Sequence, residues 1–509
     1  MFTLDRHASA IPLIHLAPRF AMSTRSQTRA VKETTPPYPV DRSEGDVNLS
    51  QRRDQWQANA ISADTRRILD QDSDAFLHQC LSSPCLNALS ACEGIYLEDV
   101  DGRRIMDFHG NYVHQVGFRN PRVVAAVKDQ LDVLPFCTRR YTNEPAIRLA
   151  SRLGELAPGN LGKCLFAPSG AVAVGMALKL ARLATGRHKT ISMWESFHGA
   201  TLEASSVGGE ALFRCDIGPL LPGTIQVPPP GHRQCVFGCG GDCDARCADY
   251  IEYVLQQEGD IAALIAEPIR ASNVTAGSPM FWKRVADACR RHGTLLIFDE
   301  IPTGLGRTGH MFASACTGVT PDMIVLGKGL GGGVMPMAAL IARRDLDVGG
   351  NKAIGHYTHE KSPLGAAAAL ATLDCLLGPP DDPAPRDDRS GDLPADASQN
   401  LMDRAGVLGH RLRQQLIDFR RSCPVIGDVR GEGLLVGFDV VEPESPHRAC
   451  PQRAEAVLYA ALDEGVSFKT GGGNTVVLAP PLTITDAELD EAVRRICRAV
   501  QCVHEGRGS

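Results

Sequence analysis

The stretch 294-TLLIFDEIPTGLGRTG-309, followed after a short connection by 322-DMIVLGKGLGGG-333, decides the reading of this chain. Two apolar runs, Thr294–Phe298 and Met323–Leu326, each stop at charged residues in a glycine-rich setting. Short apolar runs bounded by Gly and Pro are the signature of strands buried on both faces. The first run delivers Asp299 and Glu300, the second Lys328. In open α/β sheets the carboxyl ends of the strands are where ligands bind. One acid and one lysine are therefore expected on a single rim. That pair suits a pyridine cofactor, with the lysine forming a Schiff base and the acid keeping the ring nitrogen protonated. A nucleotide-type phosphate loop is excluded, because Lys328 is followed by Gly329 rather than Ser or Thr.

Working outward, the pattern repeats. From Lys163 the chain alternates strand and helix. KCLFAPSG leads into a helix that stops at Gly186, and TISMW precedes Glu195-Ser196-Phe197-His198-Gly199. IAALIAEP ends in Glu267-Pro268, PMFWKRVADACRRHG reads as a helix, and Met337–Ala342 reads as a further strand. This rhythm predicts a mostly parallel sheet between helices, an α/β fold. Pro168-Ser169-Gly170-Ala171 joins a strand to a helix amino end, where free N–H groups suit a phosphate. Phe197 could stack on a flat ring.

Both ends of the chain read differently. Residues 1–45 carry Arg6, Arg19, Arg25, Arg29 and Lys32 with few acids, and are expected to be a leader or a disordered segment, with Met22 as a candidate start. Residues 46–110 hold helical spacing and then GIYLEDVDGRRIMDF, a hairpin turning at Asp101-Gly102. Residues 111–375 form the expected large domain, opening with an amphipathic helix over Asn120–Leu134. Residues 376–400 are an acidic, Pro-rich loop. Residues 401–509 mix helices and a hairpin, and would complete a small α+β domain built from both chain ends.

Composition narrows the function. The 509 residues are 43% apolar and 22% charged with net charge -6, ordinary for a globular protein and without a basic footprint for nucleic acid. No apolar run is long enough to span a membrane. The 17 cysteines include several inside predicted elements, consistent with a reducing, cytoplasmic setting. Cys235, Cys239, Cys243 and Cys247 form a regular series, but the wide spacing is weak as a zinc signature and no metal is assigned.

The motifs SGA at 169–171, FHGAT at 197–201, AEP at 266–268, FDE at 298–300 with TGLGRTG at 303–309, GKGLGGG at 327–333, Thr358, VRGEGLLVG at 429–437 and APPLTIT at 479–485 resemble class III aminotransferases of the fold type I pyridoxal-phosphate group. The resemblance covers about residues 85–500. It implies that Lys328 is the Schiff-base lysine, Asp299 the partner of the pyridine nitrogen, and Ser169, Gly170 and Ala171 the phosphate holders. It further implies that Phe197 stacks on the ring, that Glu267 lies on the substrate side, and that Thr358 reaches the cofactor phosphate of a second subunit in a homodimer.

Two departures bear on the reaction. Pro302 stands where many such enzymes carry a Gln that donates to the cofactor's phenolic oxygen. Val477 stands where many carry an Arg that grips a substrate carboxylate. The runs MDFHGNYVHQVGF, LPFCTRRYTNEPA, KTISMWESFHGA and THEKSPLGAAAA resemble a narrower group, the ammonia-lyases of hydroxy-aminophosphonates. That resemblance implies elimination of ammonia from (R)-1-hydroxy-2-aminoethylphosphonate, giving phosphonoacetaldehyde. A phosphonate needs cationic anchors, and Arg139 and Arg140 are the first choice, with Lys469 second and Tyr141 and His114 behind them. The alternatives are an ω-aminotransferase that moves an amino group to a keto acid, and a catalytically silent relative acting as a binding module.

Overall fold

A computed structural model describes residues 50–231, 235–239, 245–378 and 400–506. The leader at 1–45, nearly all of the acidic loop at 376–400, and Cys243 lie outside them.

The centre is a seven-stranded sheet. Its strands in chain order are β1 (Leu161–Ala167), β2 (Lys189–Met193), β3 (Thr224–Val227), β4 (Ile261–Ala266), β5 (Leu295–Asp299), β6 (Met323–Leu326) and β7 (Ala338–Arg343). They lie side by side in the order β1-β7-β6-β5-β4-β2-β3. β6, β5, β4, β2 and β3 are mutually parallel. β7 is antiparallel to both its neighbours, so β1 points the same way as the rest. The strand expected over Met337–Ala342 is therefore present but reversed relative to the predicted βαβ rhythm. Its cause is local. Only a single 3₁₀ turn, Lys328–Gly331, and a short loop separate it from β6, and a parallel return needs a longer crossover.

The apolar runs behave as two-sided strands. Leu295 and Ile297 of β5 pack into one core cluster with Val174, Ala177 and Ile265. Leu296 and Phe298 point the other way, into a cluster with Ile251, Phe281 and Trp282. Alternate side chains of a strand point to opposite faces, so helices must cover both. The helix Gly170–Thr185 starts on the Ser169 side chain and stops at Gly186, whose φ of 68° places it in the left-handed region. The helix Pro279–His292 runs from Ser278 to Gly293, with Arg290, Arg291 and His292 in its last turn complementing the helix dipole.

Segments from the early and late parts of the described chain meet. The hairpin Tyr96–Asp99 and Arg104–Asp107 forms around Asp101-Gly102 as expected, and Val466–Ser467 joins it in parallel, with Val466 opposite Met106. A second sheet is built from Ile426–Glu432, Leu435–Glu442, Thr475–Leu478 and Lys469–Gly471, with Ser445–Ala449 alongside. In it Lys469 pairs with Val477. The final helix, Asp486–His504, begins with a capping box between Thr485 and Glu488. The molecule is α/β, with a mixed, mostly parallel sheet at its centre and α+β structure from both chain ends.

Candidate active site

The carboxyl ends of β2, β4, β5 and β6 share one rim. Asp299 is the last residue of β5, Glu267 follows β4 directly, and Lys328 stands two residues beyond β6. β5 and β6 are in register with Asp299 opposite Val325. A cavity of about 930 Å³ opens over this rim. Its wall includes Gly170, Ala171, Phe197, His198, Glu267, Asp299, Pro302 and Lys328 from the large sheet, and Tyr112 and Lys469 from the segments nearer the chain ends.

Asp299 is 1% exposed. One of its oxygens accepts a hydrogen bond from Nδ1 of buried His198 at 2.7 Å, and the other accepts from the Ile301 N–H at 3.1 Å. Burial disfavours the imidazolium of His198, but the hydrogen bond and charge of Asp299, with Glu267 behind it, outweigh that and raise its pKa. The Nε2 atom of His198 is buried without a partner among the described residues. Glu267 accepts backbone N–H bonds from Phe197 at 3.3 Å and Ala271 at 3.0 Å. Its carboxyl pKa is raised, mainly by burial and against the charge of His198. Glu300 faces the core. It accepts from the N–H groups of Ala313 and Ser314, and burial pushes its pKa up to about 7. Its role is to tie the turn after β5 to the segment at 313–317.

Lys328 has φ 45°, in the left-handed region that a side-chain-bearing residue rarely adopts. Such strain costs on the order of 1–3 kcal/mol and concentrates at functional sites. The Lys328 ammonium lies 4.9 Å from the centre of the Tyr112 ring, and Lys469 lies 5.3 Å from the same point. Tyr112 is 2% exposed and donates its hydroxyl to the Ala271 carbonyl at 2.9 Å. His109 stands edge-on to it, with ring centres 5.7 Å apart. Burial and the charges of Lys469 and Lys328 push the His109 pKa well below its usual value, so the ring is neutral.

The wall is shaped to hold a flat, phosphorylated pyridine. A Cβ on Gly170 would fall 2.5 Å from Ile301 Cδ1, and one on Gly199 (φ 116°) would fall 2.4 Å from the Ala171 Cβ. Backbone can thus approach a ligand closely at the amino end of the helix Gly170–Thr185. A buried carboxylate, a half-buried lysine and an aromatic side chain converge on the same space. These features fit pyridoxal phosphate. Lys328, Asp299, Gly170, Ala171, Phe197 and Glu267 would hold it, with Ser169 beside them as the helix cap.

The cavity brings together most of the residues singled out in the sequence, but not all. Thr358 is exposed and does not line it. Arg139, Arg140 and Tyr141 are exposed on the turn that follows Thr138, away from its wall. His114 is buried against Phe118 and bonded to the Asp107 carbonyl, behind the cavity rather than in it. Lys469, the second choice for a substrate cation, is the one beside Lys328. Val477 is 1% exposed and packs with Tyr112, Ala271 and Ala479. Three contributors were missed: Tyr112, His109 and His198. His198 could have been found from its place in the rim loop, since a buried ring nitrogen beside Asp299 needs a carboxylate partner. Cys235 and Cys239 are half-buried and Cys247 is buried. Among the described residues no cluster of His, Cys, Asp or Glu is arranged to hold a metal.

The model of the aminotransferase class-III family matches residues 82–500. The chain is 41% identical, over 94% of its own length and 99% of the relative's, to the (R)-1-hydroxy-2-aminoethylphosphonate ammonia-lyase of Vibrio splendidus (strain 12B01). It is 31% identical to the alanine/serine racemase of Pyrococcus horikoshii, over 81% of this chain and 85% of that one. Among solved structures, the omega transaminase of Pseudomonas jessenii in complex with PMP superimposes with a TM-score of 0.77 at 26% identity, covering 87% of this chain and all of that one. The chain therefore belongs to the class III aminotransferase family, whose members use pyridoxal phosphate.

Proposed function

We propose that the protein is a pyridoxal-phosphate-dependent ammonia-lyase acting on (R)-1-hydroxy-2-aminoethylphosphonate and releasing ammonia and phosphonoacetaldehyde. One observation carries the choice of elimination over transfer. The cavity wall offers Pro302, and Val477 lies buried against the lining residue Tyr112, where a transaminase of this family presents a donor to the cofactor's phenolic oxygen and a carboxylate-gripping Arg, yet Lys328 and Asp299 are kept. A wall without that Arg is poorly suited to the keto acid that a transfer cycle must bind. The near full-length likeness to the Vibrio lyase supports the same reading.

The cofactor, when bound, supplies an electron sink for the charge left as the C–H bond beside the amine breaks. The protein supplies the rest. Asp299, fixed by His198 and the Ile301 N–H, presents a buried negative charge for the ring nitrogen. Lys328 Nζ, on the Tyr112 side of the cavity, takes the proton from the amine-bearing carbon. The hydroxyl on the neighbouring carbon leaves as water. A water returned in the later hydrolysis balances it, so the net change is loss of ammonia with no oxidant and no amino acceptor. Phe197 packs on Phe213, with ring centres 4.4 Å apart, and closes one side of the site.

The protein works as a homodimer in which Thr358, exposed on one subunit, reaches the cofactor phosphate of the other, and it acts in the cytoplasm. No helix among the described residues is long and apolar enough to cross a membrane. The test sets two reactions side by side, the hydroxy-aminophosphonate alone and an ω-amine with pyruvate or 2-oxoglutarate. The lyase reading requires the first to run and to outpace the second. Reaction only when a keto acid is present would make the protein an aminotransferase.

A further inference from the structure

Outside the cofactor's own contacts, the cavity holds one more built cluster. Tyr112 is its platform, buried and fixed through its hydroxyl to the Ala271 carbonyl. The ammonium groups of Lys328 and Lys469 both lie about the ring, at 4.9 and 5.3 Å from its centre, and His109 stands edge-on to it. Lys469 is only 8% exposed. It comes from a strand of the second sheet and pairs with Val477, so the cation stands opposite the position where the carboxylate-gripping Arg is missing. The Tyr112 ring it lies over belongs to a buried apolar cluster with Val477, Ala271 and Ala479.

We infer that Lys469, with His109 beside it, is the binding group for the phosphonate of the substrate and sets the preference for phosphonate over carboxylate. The inference rests on the lyase reading above and assigns the substrate's anion a place in it. The chemistry is direct. A phosphonate carries more charge than a carboxylate, and a compact ammonium is an established partner for phosphate-type anions as a point charge, without the two parallel bonds by which an Arg fork grips a carboxylate. The low-dielectric wall strengthens the attraction, and the anion in turn offsets the cost of keeping an ammonium out of water. Lys328 needs the amine-bearing carbon nearby. An anchor on the same aromatic ring suits a substrate whose amine and phosphonate sit on adjacent carbons. His109, held neutral beside two cations, can donate its ring N–H to the phosphonate or accept a hydrogen bond from the substrate's hydroxyl.

The experiment compares wild type with Lys469→Met, Lys469→Ala and Lys469→Arg as full-length holoenzymes. The substrates are the hydroxy-aminophosphonate, the analogue with a carboxylate in place of the phosphonate, and 1-aminopropan-2-ol, which has no anion. Loss of a charge-assisted contact should lower kcat/KM for the phosphonate by about 10- to 100-fold, chiefly through KM. Turnover of the uncharged amine should fall much less than turnover of the phosphonate, and the cofactor's imine absorbance should persist. Lys469→Arg should recover part of the loss. Equal losses on all three substrates, or an unchanged KM for the phosphonate, would overturn the assignment while leaving the activity standing. If wild type proves inert on the phosphonate, the activity itself falls. Lys469 is then still tested by methylphosphonate binding in a calorimeter, where an unchanged Kd in Lys469→Met overturns the anchor and a weakening of about tenfold supports it.

Discussion

His198 Nδ1 and Asp299 Oδ2 stand 2.7 Å apart in the interior, with their side chains 0% and 2% exposed. The bond orients the carboxylate that we propose faces the cofactor's ring nitrogen, and the raised pKa of His198 gives that carboxylate a positive neighbour. On that proposal His198 acts as a positioning residue. His198→Ala should lower cofactor affinity and kcat/KM by about 10- to 100-fold, the usual worth of a hydrogen bond to a charged group. Asn, which can still donate, should recover part of the loss. A spectrophotometric titration of apoprotein with cofactor separates this from simple misfolding, because a merely structural role would not shift the bound cofactor's absorbance.

Removal of Lys328 reads the other electronic handle. Lys328→Ala should abolish the imine absorbance and cut turnover by about 100- to 10,000-fold, the range expected for loss of a positioned base. Full activity in a Lys328→Ala protein loaded with cofactor would remove Lys328 from the chemistry.

The glycine after Lys328 has a steric reason to be there. A Cβ at Gly329 would lie 2.0 Å from Gln115 Oε1. Gly329→Ala should destabilise the fold by about 1–3 kcal/mol through overpacking. The double variant with Gln115→Ala should regain most of that, since the obstacle is one side chain. Urea unfolding of the two variants measures it. If Gln115→Ala gives no recovery, the contact is not the cause.

Stability should fall in acid through His114. Its side chain is buried beside Phe118, and burial, with the charge of Arg307, pushes its pKa down to about 3 from an ordinary 6.5. In the folded protein the ring stays neutral, whereas the unfolded chain takes up a proton below pH 6.5. The stability this group confers is thus complete above that pH and is lost as pH falls toward about 3, at a slope near 1.4 kcal/mol per pH unit for one proton. His114→Gln should flatten that part of the pH profile, whatever it does to the plateau. An unchanged slope would assign the acid loss to other groups.

Much of the site was legible because a strand's end is written locally. The runs before Asp299, Lys328 and Glu267 are apolar on both faces and stop at a polar residue, so their rim could be placed from spacing alone. The helix limits at Ser169, Gly186 and Gly293 were equally local. What the sequence hid is tertiary. Arg139, Arg140 and Lys469 are all cations near aromatic or glycine-rich neighbours. Only the pairing of the 466–478 strands with the rest of the fold shows which one turns toward Lys328. Tyr112 ends an irregular segment, Gly110–Tyr112, that His109 precedes, with Asn111 and Tyr112 at positive φ, and no periodicity announces where such a segment points. The reversal of β7 follows from a short loop whose length was visible, but the βαβ rhythm around it masked the consequence.

The most direct test of the account counts ammonia released per active site from (R)-1-hydroxy-2-aminoethylphosphonate with every keto acid omitted. The account predicts ammonia and phosphonoacetaldehyde rising together, one for one, through many turnovers. Release that stops at or below a single equivalent per site, and resumes only when pyruvate or 2-oxoglutarate is added, would contradict it.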